Sequence, residues 1–162
     1  MKTIFLVDDH PIMRHGLAQL ICAESDLNVV GEAGTAQEAI TKVAQTNPDL
    51  IILDLTLPDM HGLELAKELR LLRPDSFLLV LSMHDEALYV ERIFRAGAQG
   101  YLMKETAADH LIFAIRKVLD GGVYVSDKMA SLLLQGLAGI RKSNSGNLID
   151  NLSDRELEIL HL

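Results

Sequence analysis

The chain reads as an α/β domain built on an open, doubly wound sheet of five parallel strands, and three observations carry that reading. Five short apolar runs, Thr3–Val7, Leu27–Val30, Leu50–Leu53, Phe77–Leu81 and Gly100–Met103, recur roughly every 25 residues. Stretches with helical periodicity separate them, and regular strand–helix alternation implies parallel strands joined by right-handed crossovers. The runs LIIL and FLLVL are continuously apolar, as central strands covered on both faces are.

The first helix opens with Pro11 at a helix-start position and carries Ile12, Leu17, Leu20 and Ile21 with Gly16 among them. Thr35-Ala-Gln-Glu38 is a capping box that starts the second. Leu63, Ala66, Leu69 and Leu72 stripe the third, and Leu88, Ile93 and Phe94 support the fourth. Leu111, Ile112, Ile115, Val118 and Leu119 stripe the fifth, with Thr106 and Asp109 spaced like a cap. After Gly121-Gly122 the rhythm breaks. Residues 126–140 form an amphipathic helix with Ser126 as N-cap and Met129, Leu132, Leu133, Leu137 and Ile140 on one side, expected to be packing surface rather than a dimer contact. RKSNSGN then reads as a linker, and LSDRELEILHL, with Ser153 and Glu156 as a capping box, starts a helix that ends inside its own apolar pattern. That last segment is expected to be the truncated start of a further, all-α domain.

At 162 residues there is room for one full domain and a remainder, a typical domain taking roughly 100–150 residues. Apolar residues make up 49%, aromatics only 4%, and there is no Trp, so the core is aliphatic. A formal charge of −8 argues against the bulk surface gripping nucleic acid. The single Cys22 excludes an internal disulfide and every Cys-rich metal motif; its place in a helical apolar pattern predicts a buried small hydrophobe. The N-terminus is too short and too acidic for a signal peptide, and no apolar run approaches the roughly 20 residues of a membrane span. The expected setting is soluble and cytoplasmic.

Function is sought where strands end in acids: Asp8 and Asp9 after TIFLV, Asp54 after LIIL. In an open α/β sheet the ligand site lies at the carboxyl ends of strands, beside the point where strand order reverses. A lone Asp there is often a turn residue or helix N-cap. Three gathered together make an acidic pocket suited to a hard divalent cation such as Mg²⁺, which relieves their repulsion, and to phosphoryl chemistry on an aspartate. Ser82 follows FLLVL and Lys104 follows GYLM, adding a donor and a cation that can hold phosphoryl oxygens. None of the six histidines has zinc spacing; His10, beside the acidic pair, is expected to be a solvated loop residue.

The segments VDDHPIMRHG, LIILDLTLPDMHG, LVLSMHD and GAQGYLMKE occur in that order, each at a strand end. Throughout residues 1–120 this resembles the receiver domain of bacterial two-component response regulators, which has the flavodoxin/CheY-like fold. The resemblance implies that Asp54 is the phosphoacceptor, attacking a phosphohistidine on a sensor histidine kinase. It implies that Asp9 and Asp54 ligate Mg²⁺, with Asp8 acting mostly through a bound water and the backbone carbonyl of Thr56 completing the protein ligands. Ser82 would hydrogen-bond a phosphoryl oxygen, Lys104 would ion-pair with the phosphate, and Ser82 and Tyr101 would be the switch residues. The coupled surface would be the fourth helix, fifth strand and fifth helix. Such a receiver phosphorylates itself from a donor and is not a turnover enzyme on an external substrate; its output is a population shift. Glu105 stands where many receivers have Pro, Met83 is bulkier than the Ala or Gly many carry, and Thr56 and His84 flank the site.

GGVYVSDKMA and LSDRELEIL are similar to the NarL/FixJ type of response regulator, in which the second phrase opens a LuxR-type helix-turn-helix domain. The implied organisation is a receiver over 1–120, a linker over 121–150 containing helix 126–140, and the first residues of the helix-turn-helix domain over 151–162. The implied output is transcription regulation, with DNA contacted only through that domain, homodimerisation on phosphorylation, and no membrane partner. A stand-alone receiver acting by protein docking is the alternative, and LSDRELEIL argues against it. Haloacid-dehalogenase-like hydrolases have DxD at the nucleophile, whereas Thr56 stands at the second position here. No GxxxxGK[ST] or GxGxxG follows the first strand, which disfavours a nucleotide or flavin domain.

Overall fold

The computed structural model describes residues 1–83 and 87–142. The strands are β1 (Lys2–Val7), β2 (Leu27–Ala33), β3 (Leu50–Asp54), β4 (Phe77–Ser82) and β5 (Gly100–Met103). The helices are α1 (Pro11–Cys22), α2 (Ala36–Thr46), α3 (Gly62–Leu72), α4 (Ala87–Arg95), α5 (Ala107–Leu119) and α6 (Asp127–Lys142). All five strands are parallel, in the order β2-β1-β3-β4-β5. The order reverses at β1, so the crevice between the carboxyl ends of β1 and β3 is the topological switch point.

Alternation along the strands sorts the core into two layers. Ile4, Leu6, Leu50, Ile52, Leu79, Leu81 and Leu102 face α1 and α5, where Leu17, Ile21, Leu111 and Ile115 meet them. Phe5, Val7, Ile51, Leu53, Leu78, Val80 and Tyr101 face the other way, against Ala39 and Val43 of α2, Leu65 and Leu69 of α3, and Val90 and Ile93 of α4. β1, β3 and β4 therefore have no solvent face, which is why their sequences are unbroken apolar runs.

The local signals act as the sequence expects at most boundaries. Pro11 is the first residue of α1, and Thr35 Oγ1 accepts from the Glu38 N–H at 3.1 Å to cap α2. Ser126 Oγ accepts from the Met129 N–H at 3.2 Å at the start of α6. Met129 is buried against the α4 side of the core and Leu133 packs beside it, so the described part of this face of α6 is packing surface; the side chains of Leu132, Leu137 and Ile140 lie outside those described. The segment before α6 is tied to β5 by Tyr101 N–H to the Tyr124 carbonyl and Tyr124 N–H to the Gln99 carbonyl.

Four details differ from the sequence reading. β2 runs on to Ala33 because its pairing with β1 continues past a register shift at Ile4/Phe5, where Gly31 makes room for the Phe5 ring. Thr106 does not cap α5 with its side chain; its hydroxyl donates to the Met103 carbonyl at 3.2 Å, and a 3₁₀ turn, Lys104–Thr106, precedes the helix. Cys22 is exposed, not buried. The inward stripe of α1 runs through Leu17 and Ile21, and the residue after Ile21 lies about 100° further round the helix. α6 runs through Arg141 and Lys142, two residues into the expected RKSNSGN linker, because the helical pattern does not stop at Ile140; the rest of that linker, the expected capping box Ser153/Glu156 and His84 lie outside the described residues.

Candidate functional site

β1 and β3, adjacent and parallel, deliver their terminal acids to one place. Asp54 closes β3, and Asp8 and Asp9 follow β1. Asp8 and Asp54 are each 1% exposed, while Asp9 is half-buried at the mouth. Carboxylate atoms of Asp8, Asp9 and Asp54, together with a ring nitrogen of His10, all lie within 4.8 Å of one another. Leaving the pleat at the strand end lets neighbouring Asp8 and Asp9 share a pocket that a continuing strand would have denied them.

Lys104, placed by the end of β5, reaches across to this cluster. Its Nζ donates to Asp54 Oδ2 at 2.8 Å and lies 3.3 Å from Asp8 Oδ2. The other Asp54 oxygen accepts from the Thr56 N–H at 3.1 Å. Burial pushes the Asp54 carboxyl above its ordinary range, outweighing the Lys104 and Thr56 hydrogen bonds that pull it down, and Asp8 beside it adds to the rise. Burial opposes the charge on Lys104 as well, but hydrogen bonding and attraction from Asp54 and Asp8 hold its ammonium above the usual lysine value. One cation thus answers three carboxylates. Asp8 Oδ2 and Asp9 Oδ1 are buried, and their near neighbours are charged groups rather than well-aligned hydrogen-bond donors: Lys104 Nζ at 3.3 Å from the first and His10 Nδ1 at 2.9 Å from the second, an oxygen-rich surrounding of the kind a hard divalent cation takes.

Ser82 is buried at the end of β4, one position beyond Leu81, the register partner of Asp54. Tyr101 lies buried on β5 opposite Val80, its ring in the layer shared with α4. Thr56 is exposed on the loop after Asp54, and a bridge to His61 closes that loop. Every expected site residue therefore stands at the same edge of the sheet, except Tyr101, which sits one layer in. His10 departs from expectation: its ring is largely exposed, but Nδ1 lies 3.2 Å from Asp8 Oδ1 and 2.9 Å from Asp9 Oδ1.

Several positioning residues escaped sequence reasoning. Arg14 holds the β1–α1 turn, donating from Nη1 to the Asp8 carbonyl at 2.6 Å and from Nε to Glu32 at 3.2 Å. Asp59 accepts from the Ala36 and Gln37 N–H groups at the start of α2, fastening the loop after Asp54 to that helix and holding its own carboxyl below the usual range. His61 caps α3, its Nδ1 accepting from the Leu63 N–H at 3.1 Å, and its Nε2 lies 2.7 Å from the Tyr89 hydroxyl on α4. These are contacts between segments brought together by the fold, a brace across the β1–α1 turn, and a local cap by an uncommon residue, and no periodic pattern announces any of them.

Comparison with known proteins agrees with this geometry. The response regulator receiver domain family matches residues 4–116. The chain is similar to a nitrate/nitrite response regulator homolog of Haemophilus influenzae, at 36% identity over 97% of this chain and 73% of that protein. It is similar to the DNA-binding transcriptional activator DevR/DosR of Mycobacterium tuberculosis, at 37% identity over 100% of this chain and 74% of that protein. Among solved structures it resembles a LuxR-family two-component response regulator from Aurantimonas, with a TM-score of 0.79 and 34% identity, over 84% of this chain and 97% of the other. With the sheet order, the acidic edge and these relatives in agreement, the chain belongs to the response regulator receiver domain family, as a two-component response regulator of the NarL/LuxR type.

Proposed function

We propose that Asp54 accepts a phosphoryl group from a phosphohistidine on a sensor histidine kinase, and that the resulting aspartyl phosphate switches the output surface of the domain. The observation that carries this reading is the convergence of Asp8, Asp9, Asp54 and Lys104 at the switch point of the sheet. In the transfer, a carboxylate oxygen of Asp54 forms a bond to phosphorus as the phosphorus–nitrogen bond breaks, and the electron pair leaves with the imidazole. No general base is needed, since the nucleophile is already anionic; positioning and charge neutralisation supply the catalysis.

Asp9, Asp54, the Thr56 carbonyl and Asp8 (the last mostly through water) would hold Mg²⁺, whose contribution is to neutralise charge on the phosphoryl oxygens. Lys104 gives up its hydrogen bond to Asp54 and pairs with the phosphoryl group. Ser82 donates to a phosphoryl oxygen, and its movement together with that of Tyr101 biases the surface formed by α4, β5 and α5. The chain is a signalling switch and not a turnover enzyme on an external substrate.

The organisation we infer is a receiver over 1–120, a linker over 121–150 and the start of a LuxR-type helix-turn-helix domain over 151–162. One relative named as a DNA-binding transcriptional activator and others named as transcriptional regulatory proteins support transcription as the output; we infer that DNA is contacted through that domain, that homodimerisation follows phosphorylation, and that the setting is cytoplasmic. Among the described residues no helix is long and apolar enough to cross a membrane.

The test is intact mass after incubation with Mg²⁺ and acetyl phosphate. The expected result is a gain of one phosphoryl group that is labile to hydroxylamine and is lost in Asp54→Ala. No adduct at any Mg²⁺ concentration, together with no change on adding beryllofluoride, overturns the reading.

A further inference from the structure

We propose that α6 is a built-in cover of the α4–β5 part of the domain, seated there through Met129, and that phosphorylation of Asp54 unseats it. The inference rests on the reading of Asp54 as the phosphoacceptor and concerns which part of this chain answers the modification.

α6 occupies a defined seat. It lies against α4, and Met129, 2% exposed, is buried in the core layer that holds Val90 and Ile93 of α4 and Tyr101 of β5. Val125, just before the helix, and Leu133, one turn beyond Met129, pack on the same layer. The approach to the helix is fastened too: Tyr124 bridges to Gly100 on the outer edge of β5, and its carbonyl accepts from the Tyr101 N–H at 2.9 Å. Residues 124–133 thus cover α4 and the free side of β5, while Phe113 of α5 stays exposed.

The seat is shallow. α5 buries Ala107, Leu111, Ala114, Ile115 and Val118, whereas Met129 is the one fully buried residue among the described side chains of α6. A helix held by few buried apolar contacts opens at low free energy.

β5 joins this seat to the acidic edge. The strand is only four residues long, Gly100–Met103. Its inner edge pairs with β4, where Ser82 is the register partner of Met103; its outer edge carries Tyr124, and Lys104 follows its last residue. Met103 packs on the same core layer as Met129. Lys104 Nζ stands 2.8 Å from Asp54 Oδ2, in space that a phosphoryl group on that oxygen would take, so Lys104 gives way and draws the end of β5 with it. A strand this short passes the displacement to Tyr124 and Met129. Coupling between two such events is reciprocal, so whatever loosens α6 favours the phosphorylated state by the same factor.

The test uses the full chain. Hydrogen exchange in α6 is followed with and without Mg²⁺ and beryllofluoride, and fluorine NMR measures beryllofluoride affinity in wild type, Met129→Ala, Leu133→Ala and Leu134→Ala. The expected result is that beryllofluoride speeds exchange in α6 about tenfold with α2 unchanged, and that Met129→Ala binds beryllofluoride about fivefold to tenfold more tightly. Leu133→Ala acts in the same direction more weakly, and Leu134→Ala, at a residue 67% exposed, changes nothing. A merely structural loss at Met129 lowers stability without raising that affinity. Equal affinity in wild type and both seat variants, or α6 exchange that beryllofluoride leaves unchanged or slows, overturns the role of α6 while the reading of Asp54 stands. Wild type that takes up neither beryllofluoride nor a phosphoryl group from acetyl phosphate overturns the reading of Asp54 and this inference with it.

Discussion

Lys104 Nζ, at the end of β5, stands 2.8 Å from Asp54 Oδ2, at the end of β3, so the one lysine of the pocket reaches across the end of β4 to the buried acid. The same ammonium is 3.3 Å from Asp8. The pocket is thus held together by a single cation facing excess negative charge, an arrangement that is stable but easily re-partnered.

Lys104→Met is expected to remove that cation and leave Asp8 and Asp54 without it. Stranding buried charge by deleting its partner costs about 3 kcal/mol. Urea unfolding without divalent cation should register this loss, and saturating Mg²⁺ should restore part of it by binding the folded state alone. Equal losses with and without Mg²⁺ would show that Lys104 stabilises by packing and not by charge.

Asp54→Asn is expected to act in the opposite direction. Burial raises the Asp54 carboxyl above its unfolded value, so its contribution to stability is present when protonated, below the unfolded value, and is lost as pH rises through the folded one. At neutral pH its charge is therefore a net cost that the amide does not carry. The variant should melt higher than wild type at pH 7 without divalent cation, and the gap should narrow as pH falls. Its gain in melting temperature on adding Mg²⁺ should also shrink. A variant that melts below wild type at pH 7 would mean that the Lys104 hydrogen bond outweighs burial.

The fold and the acidic edge were legible because both are written in local patterns. Unbroken apolar runs mark β3 and β4, Pro11 and Thr35 mark helix starts, and Asp8, Asp9, Asp54, Ser82 and Lys104 each stand at or just past a strand end. What was hidden depends on where distant segments meet. Cys22 was misjudged because an apolar residue at the edge of a helical stripe is not distinguished by composition from one inside it. Thr106 has cap spacing, yet the 3₁₀ turn diverts its hydroxyl to Met103. His10 looks like any loop histidine until Pro11 and the Asp8 carboxylate fix its ring.

Tyr89→Phe tests whether the loop after Asp54 is coupled to α4 through His61. Because His61 Nδ1 accepts from the Leu63 N–H, the ring proton lies on Nε2, which donates to the Tyr89 hydroxyl at 2.7 Å. Deleting that hydroxyl should cost about 1 kcal/mol in urea unfolding. Hydrogen exchange should show faster opening of α4 with α2 unchanged. Uniform acceleration across all helices would indicate a general loss of stability and no specific link.

Asp59→Asn tests the tie between the same loop and α2. The carboxyl is held low by the Ala36 and Gln37 N–H groups, so its contribution is present above the unfolded value and lost as pH falls through the folded one. The variant should melt below wild type at pH 7 and approach it in the acid range. A pH-independent difference would assign the effect to something other than the charge.

Gly62→Ala is the sharpest test of how tightly the loop is built. A Cβ at Gly62 would stand 2.4 Å from the Leu55 Cα and 2.8 Å from the Leu55 carbonyl oxygen. The obstacle is backbone, one residue after Asp54, and the Gly62 N–H donates to that same carbonyl at 2.9 Å. No side-chain rotation relieves the clash, so either α3 or the chain beside Asp54 must move. The expected cost lies toward the upper end of the 1–3 kcal/mol typical of overpacking, about 3 kcal/mol. Divalent-cation affinity should fall with it, because Asp54 and Thr56 share the displaced segment. Gly16→Ala, at a position where a Cβ meets nothing within 4 Å, is the control, and it should be neutral or stabilising in the middle of α1. Full stability in Gly62→Ala would mean that the β3–α3 loop is slack, and the argument that it positions the site would fall with that result.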